Sequence, residues 1–133
     1  MLKVEHIGIA VKNIKKAGDL FSSLLGTSEY KVETVVSEGV TTAFFRIGES
    51  KIELLQAVTP ESPIAKFINK RGEGVHHICF EVDDIIKEMT RLKKEGFTLL
   101  NEKPGKGADN KLVCFIHPKS ANGVLIELCQ EIH

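Results

Sequence analysis

VEHIGIAVKNI, Val4–Ile14, returns as VHHICFEVDDI, Val75–Ile85, at a constant offset of 71 positions, with Val4, His6, Ile7, Val11 and Ile14 matched by identical residues. Self-similarity of this kind marks an internal duplication. Each copy runs into an amphipathic pattern. In the first, Asn13 is placed to cap a helix whose stripe is Ile14, Ala17, Leu20, Phe21, Leu24 and Leu25, with Gly26 as its stop. In the second, Asp84 caps, Ile85, Ile86, Met89 and Leu92 form the stripe, and Gly96 stops it.

Three strand-like runs follow each helix: Tyr30–Val36, Val40–Ile47 and Ser50–Gln56 in the first copy, then Phe97–Asn101, Leu112–His117 and Val124–Gln130 in the second. The last runs also match, IELLQ (Ile52–Gln56) against IELCQ (Ile126–Gln130). Both halves read βαβββ. The expected fold class is α+β: two paired βαβββ modules forming a curved, cup-like mixed sheet with helices outside. Module one covers about 1–58, a linker with a short helix starting near Ser62 about 59–74, and module two about 75–133, all within one domain.

Composition narrows the function classes. With 133 residues, 42% of them hydrophobic, the chain has enough apolar material for a core that needs no disulfide or metal to hold it. Eighteen basic residues balance eighteen acidic ones, so no long-range attraction to phosphate backbones is expected and nucleic acid is excluded as a partner. Apolar runs are strand-length and the N-terminus lacks a signal pattern, which predicts a cytoplasmic protein without a membrane partner. The odd trio Cys79, Cys114 and Cys129 lies in apolar strands without CxxC spacing and reads as reduced core thiols.

Strand parity then singles out a site. If Ile7, Ile9 and Val11 cover the helix, His6 faces the opposite, concave side, and His77 and Cys79 do the same in the second copy. Glu53 and Glu127 sit in strands too apolar for an edge, and an unpaired buried carboxylate is driven neutral unless a cation accompanies it. His6, Glu53, His77 and Glu127 are therefore the expected ligands of one divalent metal ion. Two imidazoles and two carboxylates suit Co, Mn, Ni, Zn or Fe without selecting among them. An octahedral ion would keep two adjacent positions for a substrate with two oxygens.

Each ligand taken singly has an ordinary reading, a packed histidine or a solvated glutamate; recurrence in both repeats is what favours the metal. His76 alternates away from the site and His133 is a tail residue. His117, in FIHPKS, borders the pocket or caps its loop. Cys79 and Cys129 share the ligand face and serve as soft ligands or, more simply, as small wall residues. Lys111, Lys119 and the Gly105–Gly107 segment GKG could meet phosphate groups of a bulky substrate.

The duplicated pattern, with His early and Glu late in each copy, resembles the glyoxalase, or vicinal oxygen chelate, superfamily. EHIGIAV, SPIAKFINKRGEGVHHICFEVDDI and HPKSANGVLIEL are similar to methylmalonyl-CoA epimerases across almost the whole chain. That resemblance implies an isomerase that inverts the α-carbon of methylmalonyl-CoA, an acyl-CoA thioester, through a metal-stabilised enolate. It implies Glu127 as one catalytic acid/base, and a homodimer. Some members of the family carry a second glutamate after the GV pair; here Gly39 and Val40 are followed by Thr41, Thr42 and Ala43, leaving a water held by Thr42, or Glu38, as substitutes. Glu53 stands where some epimerases have glutamine. Thr42, Lys111, His117 and Lys119 are the expected substrate-binding residues. The same superfamily offers a lactoylglutathione lyase that isomerises a hemithioacetal, and, in another class, a non-enzymatic small-molecule binding or resistance protein. Its extradiol dioxygenases use three ligands, so a fourth carboxylate disfavours that chemistry.

Overall fold

A computed structural model describes residues 1–132; His133, expected as a tail residue, lies outside the described residues. The chain divides into two compact units, one made of Met1–His6 with His77–His133 and the other of Ile7–His76. Both boundaries fall inside the first strand of a repeat, immediately after His6 and immediately before His77.

In the Ile7–His76 unit the strands run in the order β2 (Lys31–Val35), β3 (Val40–Ile47), β4 (Ser50–Ala57) and the later half of β1 (Lys3–Ala10), with β2–β3 and β3–β4 antiparallel. Helix α1 spans Ile14–Leu25, starting where the Asn13 side chain accepts the Lys16 N–H and ending at Gly26, whose φ of 72° a residue with a Cβ rarely adopts. Its Ile14, Ala17, Phe21 and Leu25 pack on Val11, Ala43, Phe45 and Leu54. Leu20 and Leu24, expected in the same stripe, are exposed. At 100° per residue they fall on the flank of the Ile14–Ala17–Phe21–Leu25 line. Helix α2 (Pro63–Arg71) begins at Ser62, whose hydroxyl accepts the N–H groups of Ile64 and Ala65, and packs Ile64, Phe67 and Ile68 on Ala10, Val40 and Leu55.

The other unit orders its strands as β1, β5 (Gly74–Glu81), β8 (Ile126–Glu131), β7 (Lys111–Ile116), β6 (Gly105–Gly107), with β5–β8 parallel and the β8–β7 and β7–β6 pairs antiparallel. Helix α3 (Ile85–Lys94), capped by the Asp84 side chain, buries Ile85, Met89 and Leu92 against Val82, Cys114, Ile116 and Leu128. Ile86 is exposed instead of joining that stripe. Cys79, Val113 and Cys129 form a separate cluster on the other face, with Phe115. All three cysteines are free and buried.

The expected strand at Phe97–Asn101 is reduced to one bridge, Leu99 to Ile116. Asn101 explains the interruption, because its side-chain oxygen accepts the Phe115 N–H and so replaces a backbone partner. The outer strand is instead β6, whose Gly-Lys-Gly sequence carries none of the branched or aromatic residues that signal a strand.

One tie occurs in both repeats. Gln56 Oε1 accepts the Ile14 N–H at 2.7 Å, and Gln130 Oε1 accepts the Ile85 N–H at 2.8 Å. The first turn of a helix leaves N–H groups without intrahelical partners, and each repeat satisfies one of them from the end of its own last strand.

Candidate metal centre

The unit containing both termini brings three of the expected ligands together. In the parallel β5–β8 pairing Cys79 stands opposite Glu127, which sets His77 two residues earlier on the same strand face. His77 Nε2 lies 2.9 Å from Glu127 Oε1, His6 Nε2 lies 3.1 Å from the same oxygen, and the two Nε2 atoms are 3.0 Å apart. The imidazole rings meet edge to face. All three side chains are buried, each 5–6% exposed.

The size of this triangle suits a metal ion. Donors about 2.1 Å from one cation lie about 3.0–3.4 Å apart, depending on its coordination, and the three atoms are that close. The donor chemistry agrees too, because two imidazole nitrogens and a carboxylate oxygen converge within reach of one ion.

Electrostatics keep Glu127 ionised. Burial pushes its carboxyl up, but hydrogen bonds from His6 and His77, together with their charge, outweigh burial and hold it well below the usual carboxylate range. The neighbouring thiols move the other way. Cys79 is raised by burial, then by its contact with Cys129 and by the Glu127 charge, and Cys114 is pushed up to about 11 by burial and the Glu127 charge. Both stay as neutral thiols.

The other expected site residues lie as follows. Glu53, on β4 in the Ile7–His76 unit, is 4% exposed and pairs in register with Phe44. Thr42 is buried on β3, opposite Leu55, and its hydroxyl is the buried side-chain oxygen that has no hydrogen-bond partner among the described residues. Lys111 opens β7 with its Nζ 3.3 Å from Glu131 Oε1. His117 Nδ1 accepts the Lys119 N–H and caps a short helical turn over Pro118–Ser120. Glu38 ends another such turn before Gly39.

Strand parity missed one neighbour of the triangle. Glu5, only 2% exposed, reaches His6 Nδ1 with its Oε1 at 2.6 Å. Adjacent strand residues point to opposite faces, so alternation alone assigns residue 5 away from the site. The length of a glutamate side chain lets it fold back.

Residues 5–115 match the model of the glyoxalase/bleomycin resistance protein/dioxygenase superfamily. The mitochondrial methylmalonyl-CoA epimerase of Dictyostelium discoideum is 41% identical over 127 residues, covering 95% of this chain and 76% of that protein. This chain belongs to the methylmalonyl-CoA epimerase family. The ethylmalonyl-CoA/methylmalonyl-CoA epimerase of Cereibacter sphaeroides is 39% identical, over 96% of this chain and 97% of its own. A variant of the Streptomyces coelicolor methylmalonyl-CoA epimerase, solved with 2-nitronate-propionyl-CoA, superposes with a TM-score of 0.95 at 29% identity, covering 98% of this chain and 95% of that one. Membership of the epimerase family makes the chain an isomerase with the α+β fold of the superfamily. Among the described residues no helix is long and apolar enough to cross a membrane.

Proposed function

We propose that the chain is a metal-dependent epimerase that inverts the α-carbon of methylmalonyl-CoA. The observation that carries this reading is the donor triangle of His6 Nε2, His77 Nε2 and Glu127 Oε1, found in a chain whose relatives are named for that activity. Glu53 is the fourth ligand in this proposal, supported by its burial and by its place in IELLQ, the segment of the first repeat that matches IELCQ around Glu127. The ion is Co, Mn, Ni or Zn, and a homodimer in the cytoplasm is the working form.

A bound divalent cation supplies Lewis-acid stabilisation of the negative charge that develops on the substrate's thioester oxygen. The protein's own groups do the rest. Glu127, held ionised, accepts the α-proton as the C–H electron pair moves toward the carbonyl, and a proton delivered to the opposite face completes the inversion. A threonine hydroxyl is too weak an acid to supply that proton itself, so water is its source. Thr42 instead holds a water or a substrate oxygen with its unpartnered hydroxyl. Lys111, His117 and Lys119 are assigned to the acyl-CoA in the same proposal.

The deciding experiment incubates metal-loaded protein with methylmalonyl-CoA in deuterated water and, in parallel, with a hemithioacetal of glutathione. Deuterium entering the α-position without isomerisation of the hemithioacetal supports the epimerase. The reverse result assigns a lactoylglutathione lyase, and inactivity in both assays leaves a binding protein.

A further inference from the structure

Two histidines meet at the triangle, but their surroundings differ. Position 5 of the first repeat corresponds to position 76 of the second at the 71-residue offset, and the residues there are Glu5 and His76. Glu5 is almost fully buried and places its carboxylate 2.6 Å from His6 Nδ1, shorter than most N–H···O bonds to an ionised acceptor. His76 instead sets its ring edge to face on Phe67, with centroids 4.9 Å apart. The duplication has therefore kept both imidazoles and diverged at the residue before each.

A buried carboxylate against Nδ1 has one chemical consequence that matters for Nε2. The neutral ring carries one hydrogen, and an oxygen acceptor 2.6 Å from Nδ1 holds it there. Nε2, the atom in the triangle, is then the nitrogen whose lone pair meets a cation once the ring gives up the hydrogen it shares with Glu127 Oε1. Hydrogen bonding at the far nitrogen also fixes the ring's rotation and strengthens its donation to a cation.

We propose that Glu5 is a positioning residue of the metal centre, fixing His6 in the Nδ1–H form with Nε2 presented to the ion. This rests on reading the triangle as a cation site. Glu5 acts on the ion through His6, so its removal weakens metal binding and leaves turnover at saturating metal largely intact.

The test measures the dissociation constant for Mn²⁺, without substrate, in the parent, Glu5→Gln, Glu5→Ala and His76→Ala proteins, and records the His6 ring tautomer by long-range ¹H–¹⁵N spectra of the metal-free parent. Glu5→Ala is expected to bind Mn²⁺ about 10- to 100-fold more weakly, Glu5→Gln to fall between it and the parent because its amide oxygen still accepts the Nδ1 hydrogen, and His76→Ala to match the parent. In its neutral form, His6 of the metal-free parent is expected as Nδ1–H. Mn²⁺ affinities of Glu5→Gln and Glu5→Ala within twofold of the parent would overturn the proposal, as would an Nε2–H tautomer in the parent. If Glu5→Ala fails to fold, Glu5→Gln and the tautomer still decide. A parent that binds no Mn²⁺ would remove the metal reading itself, while the tautomer would still judge the part assigned to Glu5.

Discussion

His6 Nε2 and His77 Nε2, separated by 71 positions in sequence, stand 3.0 Å apart. Two imidazole lone pairs this close repel unless a hydrogen or a cation lies between them. Adding Mn²⁺ to the metal-free protein is therefore expected to raise its melting temperature. At 100 times the dissociation constant the gain is about 2.7 kcal/mol. His77→Ala should abolish that gain, and a Mn²⁺-induced rise in the His77→Ala protein equal to the parent's would exclude the triangle as the binding site.

Glu127→Gln separates holding the ion from moving the proton. The amide oxygen of glutamine still coordinates, so bound metal is expected to fall only modestly, whereas α-proton exchange should drop by about 10²- to 10⁴-fold. Exchange at the parent rate would take the base role from Glu127. The substitution also has a pH signature in the metal-free protein. Because the folded carboxyl sits below its ordinary value of 4.5, its stabilisation is complete above that pH and drains away as pH falls toward the folded value. Acid unfolding should accordingly be shallower in Glu127→Gln, as followed by circular dichroism.

How far the chain could be read without coordinates depends on the residue. His6, His77 and Glu127 were legible because duplication marks equivalent positions and strand alternation assigns them a face; hydrogen-bond distances then place them together. Glu5 was illegible, since its contact follows from side-chain length and not from parity. Helix α1 was found from its periodicity, yet Leu20 and Leu24 are exposed because an apolar residue flanking a stripe reads the same as one inside it. The β6 strand left no hydrophobic trace, for its pairing with β7 is made by backbone groups that any residue carries.

Thr42→Val tests the orphaned hydroxyl. Burying a polar group without a partner costs about 1–3 kcal/mol, and valine keeps the shape while removing the oxygen. The variant is expected to unfold at higher urea, by about 1 kcal/mol in free energy, and to show a higher KM for methylmalonyl-CoA. A stabilised variant with unchanged kinetics would strip Thr42 of any part in substrate binding.

The cysteines should be silent until the fold opens. Burial, with the nearby Glu127 charge, keeps Cys114 up near 11 and raises Cys79 as well, and both are fully enclosed. Ellman's reagent at pH 8 is expected to find no thiol in the native protein and all three after denaturation. Rapid labelling of a native thiol would contradict the packing described.

Gln56 and Gln130 each accept an N–H from the helix of their own repeat, and replacing either by alanine should cost about 1 kcal/mol in a denaturation curve. Their spacing carries a stricter demand. Glu53 and Gln56, like Glu127 and Gln130, are three positions apart and so lie on opposite faces of one strand. Adding or deleting a single residue inside either segment would turn one of its two polar groups to the wrong side. A substitution leaves that arrangement in place, but a change of length inside these short stretches disables either the helix anchor or the acidic group.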